Sequence, residues 1–127
     1  MERYYAGIDL GGTNIAVGIV TEAGNIVGSA TLKTAPPRPA EDLCDDMALG
    51  VKQAAEMAGI PVESLEWIGV GTPGMVDPEQ GLIRYSNNLD LWQAPIRDLL
   101  QERLHKPVYM DNDASAATFG EAMAGAG

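Results

Sequence analysis

A chain of 127 residues has the length of one ordinary domain. Hydrophobic residues make up 46% and charged residues 20%, so the chain can bury a core and is not intrinsically disordered. No apolar run is long enough to span a membrane, and Asp9 interrupts the N-terminus before a signal segment can form. The single cysteine, Cys44, cannot form an internal disulfide or a thiolate metal site. We therefore expect a cytoplasmic protein that does not contact membranes.

Eight basic residues against eighteen acidic ones give a net charge of −10. A field of this sign repels nucleic-acid phosphates within a Debye length of about 8–10 Å in physiological salt, so nucleic acid is not an expected partner. Anionic small molecules can still bind where backbone N–H groups or Mg²⁺ supply a positive field. The acidity is equally typical of a solvated surface without any functional role.

The first part of the chain predicts an antiparallel three-stranded meander followed by a helix. Tyr4–Leu10 is a short apolar run, and in Asn14–Val20 apolar residues alternate with small ones. Ile26–Thr34 follows the next turn and is predicted as the third strand. Residues 40–58 then carry apolar side chains at three- and four-residue steps and predict an amphipathic helix that Gly59 ends.

The second part alternates strands and helices. Its predicted elements are a strand over Leu65–Gly71, a hairpin arm over Gly81–Tyr85, a helix opened by Pro95 and carrying Ile96–Leu104, a strand over Val108–Met110 and a helix over Ala114–Ala124. The opening meander excludes a simple parallel doubly wound sheet, because there the strands would alternate with helices from the start. A mixed sheet with helices on its faces is the prediction.

The clearest local pattern is the turn that follows the first strand, where Asp9 precedes Gly11, Gly12 and Thr13. Glycines permit positive φ and let backbone N–H groups approach a phosphate without an intervening Cβ. Thr13 adds a hydroxyl, and Asp9 is a candidate Mg²⁺ ligand. The alternative is an ordinary β-turn with a capping aspartate. The segment is neither G-x-G-x-x-G nor a Walker A loop.

Two further strands end in polar loops. Gly69–Asp77 becomes a glycine-rich turn that can present backbone groups to a polar ligand or serve as a turn alone. Asp111–Ser115 offers two carboxylates and an amide, of which Asp113 can act as a general base or cap a helix. Asn87 and Asn88 add amides in another loop. Because strand ends converge on one crevice in α/β sheets, these loops predict a common site.

Taken together, these motifs resemble the ROK family of bacterial sugar kinases and repressors, with the ATP-dependent glucokinases nearest. The matching segments are Asp9–Asn14, Gly69–Asp77, Asn88–Leu89 before Trp92, Asn112–Ala114 and Gly120–Glu121. The resemblance covers almost the whole chain in order and spacing. It implies an α/β, actin-like and ribonuclease-H-like N-terminal lobe over residues 1–127, with a mixed five-stranded sheet and helices on both faces.

The resemblance also implies the site residues. The family's phosphate loop falls on Asp9, Gly11, Gly12 and Thr13, with Asp9 as the possible Mg²⁺ ligand. Its substrate contacts fall on Gly74, Asn88, Asn112, Asp113 and Glu121, and Asp113 is the implied catalytic base. ATP and Mg²⁺ are the implied cofactors, and a hexose, glucose first, is the implied substrate.

Departures from the family pattern leave the exact sugar open. Residues 87–92 read Asn-Asn-Leu-Asp-Leu-Trp where family members commonly have Pro-Asn-Leu-Pro-Gly-Trp, and Ser115 replaces an asparagine. The family's second lobe, with its His/Cys zinc motif and adenosine pocket, has no counterpart here, so structural zinc is expected only in that lobe. The only histidine, His105, is interpreted as a surface residue at a helix end.

The function that the resemblance implies is phosphoryl transfer from Mg-ATP to the C6 hydroxyl of a hexose, in a complete protein that forms homo-oligomers. This lobe alone is expected to be inactive. A sugar-sensing repressor is disfavoured because only eight residues precede Asp9 and the charge is negative. A two-metal nuclease using Asp9, Asp77 and Asp113 lacks a basic surface for the strand. A non-catalytic sugar-binding module stays open.

Overall fold

The computed structural model describes residues 3–72, 74–86 and 89–111. These residues form a five-stranded sheet, a three-stranded sheet and two α-helices. The strands are β1 Tyr4–Leu10, β2 Asn14–Thr21, β3 Ile26–Lys33, β4 Leu65–Gly71, β5 Met75–Asp77, β6 Leu82–Ser86, β7 Leu91–Ala94 and β8 Val108–Asp111, and the helices are α1 Ala40–Ala58 and α2 Ile96–Leu104. No helix in these ranges is long and apolar enough to cross a membrane.

The larger sheet is mixed, and β1 lies at its centre. Its order is β3-β2-β1-β4-β8, with antiparallel pairing along the β1–β2–β3 meander and parallel pairing of β1 with β4 and of β4 with β8. The predicted meander and mixed five-stranded sheet are thereby confirmed. Because β1, β3, β4 and β8 run in the same direction, all four end at one edge, which we call the carboxyl edge.

The apolar core lies between one face of this sheet and the helices. Ile8 pairs with Val17 on one side and with Val70 on the other, so the three side chains form a buried row across β2, β1 and β4. Helix α1 packs on this row so closely that a Cβ added at Gly50 would lie 2.8 Å from Cγ2 of Val17. The alternation of apolar and small residues in β1 and β2 therefore sets which face receives the helix.

Helix α2 packs on the same face, beside α1 and against β8. The buried Cys44 thiol of α1 donates to the carbonyl oxygen of Ile96 in α2, with an Sγ–O distance of 3.9 Å. Within the described residues both helices therefore lie on one face of the sheet. The helix predicted over Ala114–Ala124, which would supply the other face, lies outside the described residues.

The opposite face of the sheet carries aromatic rings and small residues. The ring centroids of Tyr5 and Trp67 lie 4.9 Å apart, and those of Trp67 and Tyr109 lie 6.0 Å apart. Gly7 and Asp9 continue along β1 on this face, because side chains alternate along a strand. Asp9 consequently lies across the sheet from the helices.

The smaller sheet has the order β5-β6-β7 and is antiparallel throughout. The predicted hairpin arm over Gly81–Tyr85 corresponds to β6, but β5 and β7 were not predicted. In β7 the apolar pattern is irregular, because Gln93 adopts a positive φ of 49° and Asp90 just before the strand one of 53°. Arg97 of α2 fixes this sheet by donating from Nη1 to the Glu79 carbonyl oxygen at 2.9 Å.

The contact of β3 with α1 gives a first testable prediction. A Cβ added at Gly28 would overlap the Ala54 carbonyl oxygen and lie 3.0 Å from the Ala58 backbone nitrogen. Backbone atoms of a helix cannot move aside cheaply, so we expect Gly28→Ala to lower the free energy of unfolding by about 1–3 kcal/mol or more. Urea denaturation measures the loss. The exposed neighbour Ser29→Ala is the control and should stay within about 0.5 kcal/mol.

Candidate functional site at the carboxyl edge

The carboxyl edge places two acidic residues in one row. Asp9 of β1 pairs with Gly71 of β4, and Gly71 pairs with Asp111 of β8. Adjacent strands are about 4.8 Å apart, so the two acidic positions are separated by roughly 10 Å with no intervening side chain from β4. Asp111 was predicted in the loop after β8, but it is the last residue of the strand. This register could not be read from the sequence.

The β1–β2 turn, expected to be a phosphate loop, is a tight hairpin. The N–H of Gly11 donates to the Asn14 carbonyl oxygen at 3.0 Å. A bound phosphate could therefore accept a hydrogen bond from this N–H only if the hairpin opened. A Cβ at Gly11 would lie 3.0 Å from the same oxygen, which explains glycine there by close approach. Gly12 and the exposed Thr13 form the tip of the turn. They are the residues of this turn that a ligand could reach.

The conformational reason given for the two glycines is wrong. In the described ranges positive φ occurs at Gly24, Gly59, Gly74 and Gly81 among the glycines. Neither Gly11 nor Gly12 uses the left-handed region, so the turn does not depend on it. The part of the prediction that still applies is that Gly11 and Gly12 have no side chain at the carboxyl edge.

Thr34 fixes this turn, a role that its sequence pattern did not indicate. Its hydroxyl donates to the Gly11 carbonyl oxygen at 2.7 Å, and its N–H donates to the Thr13 carbonyl oxygen at 2.9 Å. The side chain is fully buried. Thr34 was predicted to end β3, yet it lies just beyond the strand and joins its end to the β1–β2 turn. Nothing in the sequence distinguishes it from an ordinary strand threonine.

The loop after β4 brings Gly74 against the end of β6. Gly74 has a φ of +94°, and a Cβ there would overlap the Tyr85 carbonyl oxygen and lie 3.1 Å from Cβ of Ser86. Glycine is therefore required both for its conformation and for the close approach. Ser86 directly precedes Asn87 and Asn88 in the chain. The predicted sugar position Gly74 thus lies beside the segment that leads into the predicted contact Asn88.

Asp77 serves the small sheet instead of an open site. The N–H of Gln80 donates to Oδ1 at 3.1 Å, and Nη2 of Arg84 donates to Oδ2 at 2.7 Å. The Gln80 hydrogen bond, followed by that of Arg84, holds the pKa of Asp77 below its ordinary value. Both oxygens are engaged in closing the β5–β6 hairpin, so the nuclease alternative loses one of its three carboxylates.

Cysteine and histidine often carry out chemistry in proteins, but Cys44 and His105 occupy positions here that have a structural explanation. Burial raises the pKa of the Cys44 thiol to about 12, so it stays protonated near neutral pH and is a poor nucleophile. His105 is exposed at the C-terminal end of α2 with a φ of 54°, and its N–H donates to the Gln101 carbonyl oxygen at 2.8 Å. The prediction of a surface histidine at a helix end is confirmed.

The side chains that could bind a metal ion indicate where a magnesium ion would fit. Among the described residues, no group of three or more His, Cys, Asp or Glu side chains could hold a metal ion. Mg²⁺ usually keeps several waters and binds one or two carboxylates together with substrate phosphates. The half-buried Asp9 beside the turn is compatible with that role for an ion carried by a nucleotide.

The remaining predicted site residues lie outside the described residues. They are Asn88, Asn112, Asp113 and Glu121. Their roles stay predictions. The backbone nevertheless leads to them from two sides, since β6 ends at Ser86 and β8 ends at Asp111. The β1–β2 turn, the loop that leads from β4 to Gly74 and the last residue of β8 all follow or form strand ends at the carboxyl edge, as the convergence of strand ends predicts.

Comparison with known proteins identifies the family. The model of the ROK family matches residues 5–127, and the chain belongs to this family. The glucokinase of Thermotoga maritima is 36% identical over 122 residues, which cover 95% of this chain. A ROK hexokinase from Thermus thermophilus superposes with a TM-score of 0.79 at 35% identity over 95% of this chain. A ROK glucokinase from Streptomyces griseus, solved with glucose and AMPPNP, gives 0.80 at 35% identity over 93%.

These comparisons also confirm the predicted fold, since the structural neighbours are ROK kinases with the actin-like fold. The chain spans 37% of the length of the Thermotoga maritima glucokinase and 38% of the Thermus thermophilus hexokinase. Repressors are relatives as well. A putative xylose repressor of Caldicellulosiruptor sp. is 27% identical over 115 residues, or 91% of this chain and 29% of its own length. The chain is therefore similar to a part of sugar kinases and of sugar-responsive regulators.

Thr34 gives the prediction for this site. Thr34→Val keeps the shape of the side chain but removes the hydroxyl that donates to the Gly11 carbonyl oxygen. We expect a loss of about 1–3 kcal/mol in the free energy of unfolding, because the partly buried Gly11 carbonyl oxygen loses its hydrogen-bond donor. Chemical denaturation measures it. Thr31→Val, on the exposed side of β3, is the matched control; equal stabilities of the two variants would contradict the anchoring role.

Proposed function

We propose that residues 1–127 are the sugar- and phosphate-contacting lobe of a cytoplasmic ATP-dependent hexose kinase, with glucose as the first candidate substrate. The observation that carries the proposal is the meeting of three elements at the carboxyl edge: the Asp9–Thr13 turn, the Gly74 loop and the end of β8. Phosphoryl transfer needs chiefly positioning and charge neutralisation, and one edge that holds both reactants supplies the positioning.

The sugar would lie between Gly74 and the residues that follow β6 and β8. Gly74 offers backbone without a side chain in the way, while Asn88 and Asn112 would orient the hydroxyls. Asp113 would accept the proton of the C6 hydroxyl as that oxygen attacks the γ-phosphorus. Glu121 would add a further contact to the sugar.

The phosphate would approach the tip of the β1–β2 turn. Gly12 presents no Cβ there, and the Thr13 side chain is exposed and carries a hydroxyl donor. Asp9 would hold the nucleotide's Mg²⁺, which when bound neutralises charge on the phosphates. Thr34 keeps the turn in place through its bonds to Gly11 and Thr13.

The relatives support the choice of reactants. The glucokinases match nearly the whole chain, and the Streptomyces griseus structure contains glucose and an ATP analogue. Because the chain spans little more than a third of these relatives, turnover would need a second lobe that holds adenosine. Structural zinc in that lobe and homo-oligomerisation of the complete protein are parts of the same proposal.

A regulator that senses sugar is the second candidate, favoured by the repressor relative that matches 91% of the chain. Both candidates need a sugar site at the carboxyl edge. They differ in the phosphate turn, since a regulator needs no phosphoryl transfer. Formation of hexose phosphate by the complete protein therefore distinguishes them.

The role of Asp113 gives the sharpest kinetic prediction. Asp113→Asn in the complete protein keeps an oxygen that can cap a helix but removes the carboxylate that takes the sugar proton. We expect kcat to fall by about 10²–10⁴ while Tm is nearly unchanged. Asp111→Asn is the control and should be much milder. Retention of most of kcat by Asp113→Asn would identify this residue as a cap only.

The turn gives a complementary prediction. Gly12→Val in the complete protein places a branched side chain at the turn tip, where the phosphate would approach. We expect loss of ATP-dependent activity with glucose binding largely kept, which steady-state kinetics and calorimetry measure separately. Unchanged ATP kinetics would show that Gly11 and Gly12 form a structural turn and nothing more.

The chain by itself gives a further prediction. It should fold, because the described core is closed by two helices, yet it should not turn over glucose and Mg-ATP. A coupled assay of the isolated 127-residue chain is expected to give only background. Robust turnover would contradict the division of roles between this lobe and the second one.

A further inference from the structure

The small sheet exposes a row of large apolar side chains that the proposed reaction does not use. Met75 pairs with Tyr85 across β5 and β6, and Tyr85 pairs with Trp92 across β6 and β7. Trp92 remains 66% exposed and Met75 62% exposed. The rings of Tyr85 and Trp92 contact each other with centroids 4.6 Å apart. We call Met75, Tyr85 and Trp92, of which the last two are aromatic, the aromatic row.

The aromatic row begins at the predicted sugar position. Gly74 directly precedes Met75, and Gly74, Met75, Val76 and Tyr85 line a surface depression of about 410 Å³. The row is therefore continuous with the place where the reacting hexose is proposed to lie. Adjacent strands are about 4.8 Å apart, so the row extends roughly 10 Å from that place, about the length of two linked pyranose rings.

Trp92 also borders a second concave surface. A groove of about 540 Å³ lies between β7 and the start of α1, and its lining includes Trp92, Glu41, Asp90 and Gln93. The carboxylates accept hydrogen bonds, and the Gln93 amide both donates and accepts. Trp92 thus stands between the depression at Gly74 and a groove that offers polar groups suited to hydroxyls.

We propose that the exposed indole of Trp92, packed against the tilted ring of Tyr85, forms a stacking platform for a second pyranose ring, so that the site takes a neutral disaccharide or glycoside as well as a free hexose. Pyranose rings present C–H groups on their faces and hydroxyls at their edges. The face would stack on the exposed indole, and hydroxyls would reach Glu41, Asp90 and Gln93 in the groove. The inference rests on the hexose site proposed above and adds the class of ligand that extends beyond it.

Charge favours a sugar over a second copy of the chain at this surface. Each copy of the chain carries a net charge of −10, the groove beside Trp92 is lined by the acidic residues Glu41 and Asp90, and the basic residue of the lining, Arg38, is paired with Asp46. Two such surfaces would repel each other, whereas a neutral carbohydrate meets no such repulsion and supplies hydroxyl donors to the carboxylates. A large exposed apolar row with polar groups at its border is typical of a binding surface.

Nuclear magnetic resonance tests the platform directly, because Trp67 and Trp92 are the only two tryptophans of the chain. Their indole N–H signals can be assigned with Trp67→Phe and Trp92→Phe. The complete protein is titrated with maltose and, separately, with glucose. We expect maltose to shift the Trp92 indole and Gly74 amide signals saturably, while glucose shifts chiefly the Gly74 amide.

Variants give the quantitative part of the test. Trp92→Ala should weaken maltose binding, followed at the Gly74 amide, by about tenfold and leave glucose binding within twofold. Trp92→Phe, which keeps a ring, should retain most of the affinity. Tyr109→Ala removes an equally exposed aromatic ring from the other sheet and should change neither titration. Trp92 is exposed, so its replacement should leave the amide spectrum of the core unchanged.

Three results would overturn the proposal. A Gly74 response to both sugars with an unmoved Trp92 indole would leave the hexose site standing and remove the platform. No response to either sugar would contradict the hexose site and the platform together. A Trp92 shift that follows protein concentration in the absence of sugar would identify the aromatic row as a contact between copies of the chain.

Discussion

The pairing of β1 on both sides is the constraint on which the rest of the structure depends. Because β1 is antiparallel to β2 and parallel to β4, the meander and the later strands are joined into one sheet with four strand ends at one edge. A one-residue slip of β1 would move Ile8 out of the core and Asp9 into it. The burial of Ile8 between Val17 and Val70 therefore also fixes the side of the sheet on which Asp9 lies.

Several positions show how tightly the candidate site is connected to the core. Thr34 ties the end of β3 to the β1–β2 turn, and Gly74 ties the loop after β4 to the end of β6. Arg97 holds the small sheet against α2. The proposed ligand contacts at the carboxyl edge would thus be supported in part by groups such as Thr34 and Arg97, which would not themselves touch a ligand, and such support is how a site on loops can be kept in one geometry.

The sequence predicted the elements of the large sheet well, because the periodicity of β1, β2 and α1 records which face each residue buries. Prediction from the sequence failed where the structure depends on pairing between residues that are far apart in the chain. The third strand of the small sheet includes Gln93 with a positive φ, which no sequence pattern indicated. Asp9 and Asp111 share a row because both pair with Gly71 of β4, and this register could not be read from the sequence. The glycines of the β1–β2 turn were found by motif, but the physical reason for Gly11 proved to be its close approach to the Asn14 carbonyl oxygen.

The most direct measurement is a crystal structure of the complete protein with glucose and a non-hydrolysable ATP analogue. We expect the γ-phosphate at the tip of the β1–β2 turn, near Gly12 and Thr13. We also expect the C6 hydroxyl within about 2.6–3.2 Å of a carboxylate oxygen of Asp113. A γ-phosphate bound away from this turn, or a hexose bound away from Gly74 and Asp113, would contradict the claim that the carboxyl edge assembles the two reactants.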